Sequence, residues 1–82
     1  MKVSINANYV QTVNIEIDLP NGKTWDDVDN FFVKWGTLNI QFKGEKEYHE
    51  FEMDNEPSEC NWKNPDSVTV YNPETYEKIG EA

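Results

Sequence analysis

The chain has 82 residues, of which 37% are hydrophobic and 13% aromatic, and it carries seven lysines, no arginine and sixteen acidic residues for a net charge of −9. A chain of this length has room for one small core, so we expect a single domain over residues 1–82. Without arginine or clustered positive charge, it is not expected to bind nucleic acid directly or to bind an anionic membrane surface.

The N-terminal part shows the alternation of apolar and polar residues that is typical of β-strands. From Val3 to Leu19 the odd positions are apolar, with Gln11 as the interruption. One strand over this whole range would be longer than a domain of this size, so we predict two strands, at about 2–8 and 11–19. The Pro-Asn-Gly sequence at 20–22 then predicts a turn.

A short amphipathic helix is predicted after this turn. Thr24 offers an N-cap, and the carboxylates of Asp26 and Asp27 suit the positive end of a helix dipole. Gly36 is typical of the residue that follows a helix. Capping and solvation account for the acidic residues here, so we assign none of them to a site. The apolar residues at helical spacing are Trp25, Val28, Phe32 and Trp35.

Residues 37–53 are expected to form a β-hairpin whose register follows from its apolar residues. Placing Ile40 opposite His49 brings the apolar residues of both strands to one face. The same register pairs Leu38 with Phe51, whereas a shift by one residue would bury glutamates. The outer face of the hairpin then carries Asn39, Gln41, Tyr48, Glu50 and Glu52.

A loop and two short strands complete the predicted fold. Residues 54–66 have no regular period and contain two prolines, so we expect a loop that Trp62 anchors on the body of the domain. Val68 and Val70 begin a strand, and residues 76–79 return antiparallel to it. The expected fold class is therefore α+β, with an antiparallel β-sheet packed on one short helix in the order β-β-α-β-β-β-β.

The sequence contains no recognisable motif for catalysis, metal binding or a cofactor. The single histidine, His49, is expected to face inwards, and the single cysteine, Cys60, has no partner for nucleophilic or disulfide chemistry. Zinc, EF-hand and phosphate-binding spacings are missing as well. We therefore expect a non-enzymatic protein without a cofactor. Its lone cysteine, and the lack of an apolar segment of the roughly 18 residues that cross a bilayer, favour the cytoplasm.

The strongest functional signal is the acidity of the second half. Residues 1–44 hold five acids and four lysines, whereas residues 45–82 hold eleven acids and three lysines. Carboxylates along one strand face can compete for a basic groove, and an adjacent tyrosine adds an aromatic anchor of the kind common in interfaces. The alternative is that these charges only protect an edge strand from aggregation. The candidate partner-binding residues are Tyr48, Glu50, Glu52, Asp54, Glu56 and Glu59.

The layout of the first half resembles small uncharacterised proteins encoded by bacteriophages. The resemblance rests on Tyr9–Ile17, on the Trp-rich helix predicted after it, and on Trp35–Phe42. It transfers no functional residue but implies a viral accessory protein, which would act in the host cytoplasm. The predicted function is an interaction module whose acidic face binds a basic host protein surface, one form of which would be a DNA-mimicking inhibitor. A second hypothesis is a structural module that forms homo-oligomers through a strand edge.

Overall fold

The protein is built from two antiparallel β-sheets. The computed structural model describes residues 1–9, 11–53 and 64–82, and within these ranges it contains no α-helix. The first sheet has the strand order β2-β1-β6-β7 and the second has the order β3-β4-β5. The predicted α+β fold, with a sheet packed on one helix, is therefore wrong. The strands are β1 (Lys2–Asn8), β2 (Thr12–Asp18), β3 (Val28–Lys34), β4 (Thr37–Phe42), β5 (His49–Glu52), β6 (Ser67–Tyr71) and β7 (Lys78–Glu81).

The segment predicted to be a helix forms a short 3-10 turn at Trp25–Asp27, followed by β3. Its apolar residues fit a helical period, but aromatic and β-branched residues such as Phe31 and Val33 favour strands. In β3 these two side chains lie in or against the core, and β3 pairs antiparallel with β4. Gly36 does not follow a helix. It lies in the two-residue turn between β3 and β4, where Trp35 and Gly36 have φ of 54° and 73°.

One local prediction for the connection before β3 is confirmed, and the N-cap predicted at Thr24 belongs to a 3-10 turn instead of a helix. The turn at Pro20–Gly22 is present, and both Asn21 and Gly22 adopt the positive φ that such turns require. Asp27 acts as a capping residue, because its carboxylate accepts a hydrogen bond from the Thr24 N–H at 2.8 Å. The cap serves the 3-10 turn and not an α-helix.

The strands of the first sheet follow the alternation of the sequence. β1 and β2 form an antiparallel pair in which Ile5 lies opposite Ile15, and their bounds differ from the predicted ones by one residue at most. β6 pairs with the other side of β1, and β7 pairs antiparallel with β6 as predicted, although it begins at Lys78 instead of Tyr76.

The apolar faces of both sheets contribute to one hydrophobic cluster. Trp25 lies between them: its ring meets Phe31 of the second sheet edge-on, with centroids 4.9 Å apart, and its indole lies against Gly80 of β7 in the first sheet. A Cβ at Gly80 would lie 2.8 Å from Trp25 Nε1, so this glycine makes room for the ring. The buried members of the cluster are Val3, Ile5, Ala7, Val13, Ile15, Ile17, Leu19, Val33, Leu38, Ile40, Phe42, Met53, Val68 and Val70.

Candidate functional site

The predicted register of the β4–β5 hairpin is confirmed, and it fixes which residues share the outer side of the second sheet. Ile40 pairs with His49 towards the core, and the next pair along, Asn39 with Glu50, points away from it. In β3, Phe32 lies opposite Asn39. Phe32, Asn39 and Glu50 thus form one row across three strands. We call this side the outer face; its residues are Asn30, Phe32, Lys34, Thr37, Asn39, Gln41, Tyr48, Glu50 and Glu52.

Tyr48 and Phe32 form an aromatic pair on the outer face. Their rings meet edge-on with centroids 5.4 Å apart, and the Asn30 side chain donates a hydrogen bond to the Tyr48 hydroxyl at 2.9 Å. Phe32 is 38% exposed and Tyr48 39% exposed, whereas Asn39 in the same row is only 9% exposed. The two rings therefore keep surface open to water while their neighbours hold them in place.

The carboxylates of the outer face are exposed. Glu50 and Glu52 alternate with Phe51 along β5, and among the described residues neither forms an ion pair. Lys34 lies in the same row as Glu52, with Thr37 between them, so the described face carries two negative charges and one positive charge.

The remaining predicted partner-binding residues, Asp54, Glu56 and Glu59, lie outside the described residues, as do Cys60 and Trp62. Of the six candidate residues, the structure therefore places three, and it brings those three to one face. Phe32 and Trp35, which is 56% exposed, were missing from the prediction because the helical period assigned both to the core. An interpretation of residues 28–34 as a strand, followed by a Trp-Gly turn, would have predicted that both side chains are exposed.

His49 faces the core side of the sheet, as predicted, and its side chain contacts an aromatic ring and a carboxylate. Its ring meets Phe42 edge-on with centroids 5.2 Å apart, and its Nε2 lies 3.1 Å from Glu45 Oε1. The neighbouring carboxylate is thus that of Glu45, four residues earlier in the hairpin turn. Glu45 also pairs with Lys23 Nζ at 3.7 Å. These contacts connect the hairpin turn to the connection before β3.

The described residues offer neither a metal site nor a membrane-spanning helix. No three side chains of histidine, cysteine, aspartate or glutamate in the described ranges come together in a way that could hold a metal ion. The same residues include no helix with the length and apolar character needed to cross a membrane. In comparisons with known proteins, neither a protein-family model nor a curated protein nor a solved structure matches this chain.

Proposed function

We propose that the protein is a non-enzymatic interaction module that binds a basic protein surface through the outer face. The observation that carries this proposal is the exposed Tyr48–Phe32 pair beside the exposed carboxylate of Glu50, which has no ion-pair partner among the described residues. Aromatic residues and arginine supply most of the binding energy of protein interfaces. The outer face provides the aromatic half of such a contact.

The chemistry of the outer face favours arginine over lysine as the partner's basic residue. A guanidinium group can stack on an aromatic ring and at the same time donate two hydrogen bonds to a carboxylate. Tyr48 and Glu50 lie two residues apart on one face, which is about 6.6 Å along a strand. One arginine side chain can contact both groups, whereas a lysine ammonium has no planar surface to stack.

The contacts that orient Tyr48 support binding as well. Asn30 fixes the Tyr48 hydroxyl and Phe32 supports the Tyr48 ring, so little side-chain freedom remains to be lost when a partner docks. The net charge of −9 adds long-range attraction for a basic partner, which raises the association rate at low salt.

A DNA-mimicking inhibitor would need a longer row of carboxylates than the described face provides. Glu50 and Glu52 supply two charges, and Lys34 lies on the same face. Asp54, Glu56 and Glu59 would have to extend the row, and they lie outside the described residues. The proposal is therefore stated for a basic protein surface in general, which would be a host protein in the bacteriophage setting that the resemblance implies.

An NMR titration with two matched peptides tests the proposal. One peptide alternates arginine with alanine and the other alternates lysine with alanine, at equal length and charge. We expect the arginine peptide to shift the amide signals of Phe32, Tyr48 and Glu50 and to bind several-fold more tightly than the lysine peptide. Equal affinities, or shifts spread evenly over all acidic residues, would show that only net charge is recognised and would refute the proposal.

Self-association through a strand edge is a second candidate function, and β2 favours it. Among the described strands β2 pairs only with β1, and it presents a regular edge of seven residues without a bulge. If two copies paired antiparallel about Ile15, Asn14 would lie opposite Glu16 of the second copy, so no like charges would face each other there. Sedimentation velocity at several concentrations tests this candidate, and a monomer throughout would refute it.

A further inference from the structure

The polar side of the first sheet carries a cleft that the proposed interaction surface does not use. Its volume is about 430 Å³, which lies within the range of roughly 300–1,000 Å³ that is usual for small-molecule sites. Side chains of β1 and β2 form the floor, and the turn between β6 and β7 forms one wall. Ser4, Asn6, Asn14 and Glu16 line the floor, and Tyr71, Pro73 and Tyr76 lie on the side of β6 and its turn.

The floor of the cleft is an ordered set of hydrogen-bonding groups. Asn14 lies opposite Asn6 across the β1–β2 pair, and its side-chain amide donates hydrogen bonds to Asn6 Oδ1 and to Ser4 Oγ, the latter at 2.9 Å. Glu16 lies opposite Ser4 and is exposed. These contacts fix the orientation of the Asn14 and Asn6 amides. The Asn6 amide N–H groups can then donate to a ligand, and the Ser4 hydroxyl can donate or accept. Glu16 can accept, since its Oε1 lies 3.7 Å from Lys2 Nζ and its other oxygen has no ion-pair partner among the described residues.

The wall of the cleft contains a conformational anomaly at Tyr76. Its φ is 60°, a left-handed value that bulky residues adopt only at an energetic cost, and its side chain is 84% exposed. The Tyr76 N–H donates a hydrogen bond to the Asn72 carbonyl at 2.7 Å and so closes the β6–β7 turn. Glycine or asparagine would satisfy this turn more easily. The turn as folded places the aromatic ring of Tyr76 at the cleft.

The lining favours one class of ligand. None of the described residues that line the cleft is basic, and Glu16 is a carboxylate. Lys2, which does not line the cleft, places its Nζ 3.7 Å from Glu16 Oε1 and offsets that charge, so the lining offers an anion no positive charge of its own and a neutral ligand fits it best. The amides and hydroxyls of the floor disfavour a purely apolar ligand, because they would lose water without gaining partners. A sugar ring fits both parts: its hydroxyls can bond to amides and a carboxylate, while its C–H face can pack on an aromatic ring.

We infer that this cleft binds a neutral saccharide, with one sugar ring packed on Tyr76 and its hydroxyls bonded to Asn6, Asn14 and Glu16. Tyr71 and Pro73 supply further contact surface beside Tyr76. The site lies on the other sheet from the outer face, so it is independent of the proposed binding of a basic protein surface.

NMR titrations of the full chain with cellohexaose, maltohexaose and N-acetylchitohexaose test the inference, with adenosine as a planar aromatic control. We expect at least one of the three saccharides to give saturable shifts at Asn6, Asn14 and Tyr76. Replacing Tyr76 by phenylalanine should preserve binding, because the packing surface remains. Tyr76→Gly should weaken binding at least ten-fold while the melting temperature stays equal or rises, because glycine relieves the strained φ.

Two further variants make the test selective. Tyr76→Asn also accepts a positive φ and replaces the glycine variant if that one fails to fold. Tyr48→Ala removes a tyrosine from the outer face and should leave saccharide binding unchanged. The inference is overturned if none of the three saccharides gives saturable shifts in the cleft, if Tyr76→Gly binds as the wild type does, or if adenosine binds there and the saccharides do not.

Discussion

A single methyl group at Gly80 tests how the two sheets are joined. In Gly80→Ala the new Cβ would lie 2.8 Å from Trp25 Nε1 and 3.0 Å from Cζ2, so the indole must move. Its edge-on contact with Phe31 would have to change as well. Overpacking of this kind costs about 1–3 kcal/mol. Gly80 does not have a positive φ, so alanine adds no backbone strain. Without the clash, the same change would stabilise the fold by about 0.4–1 kcal/mol through the unfolded chain.

We therefore predict that the effect of Gly80→Ala on the free energy of unfolding changes sign between two backgrounds. In the wild type, Gly80→Ala should lower the free energy of unfolding by about 1–3 kcal/mol. In a Trp25→Leu background, where the indole atoms are gone, it should raise that free energy by about 0.4–1 kcal/mol. Urea unfolding of the four proteins, followed by far-UV circular dichroism, gives all the values of this double-mutant cycle. Equal effects in both backgrounds would refute the packing of Trp25 against β7.

Two further predictions concern the turn between β3 and β4 and the end of β7. Trp35→Asn should stabilise the protein by about 1 kcal/mol, because asparagine tolerates the φ of 54° and Asn-Gly is the preferred sequence for such turns. Gly36→Ala should destabilise the protein, because alanine does not favour the φ of 73°. Thermal unfolding of both variants checks that the two changes in stability have opposite signs. The pKa of Lys78 lies above its ordinary value of 10.5 because the Glu81 side chain accepts its hydrogen bond and attracts its charge. A raised pKa in the folded state means that the pair contributes stability below the unfolded pKa and loses it as the pH rises through the folded pKa. An NMR titration of Lys78 should show a higher midpoint than in Glu81→Gln, and equal midpoints would contradict the pairing.

The parts of the fold that follow from local alternation were predictable. In β1 and β2 the apolar residues alternate strictly, so strand positions and inward faces could be assigned from the sequence. The β4–β5 register was also predictable, because a shift by one residue would bury Glu50 or Glu52. Each of these decisions needed only neighbouring residues and the cost of burying charge.

The parts that depend on distant partners were not predictable in the same way. The spacing of Trp25, Val28, Phe32 and Trp35 fits a helix by itself, and it is the pairing with β4 that makes this segment a strand. Alternation shows which side of a strand is buried but not which strand lies next to it. The division into two sheets, with β6 beside β1, therefore had no local signal.

The difference between local signals and pairing with distant strands also explains which residues of the two candidate sites could be predicted. Tyr48, Glu50 and Glu52 could be assigned to one face because that face follows from the hairpin register. Phe32 was missed because its exposure depends on β3 being a strand. Tyr76 was predicted only as part of a returning strand, since the positive φ that sets its exposed ring at the cleft belongs to the turn as folded.

The affinity of the arginine peptide for two charge-matched variants tests the proposed function most directly. Glu50→Gln/Glu52→Gln removes two carboxylates from the outer face, and Glu74→Gln/Glu77→Gln removes two from the β6–β7 connection, so both variants change the net charge equally. Isothermal titration calorimetry at low salt should show a loss of roughly ten-fold or more for the first variant, in line with charge-assisted hydrogen bonds of about 1.5–3 kcal/mol. The second variant should lose only the small effect of long-range attraction. Equal losses in the two variants would contradict recognition by the outer face.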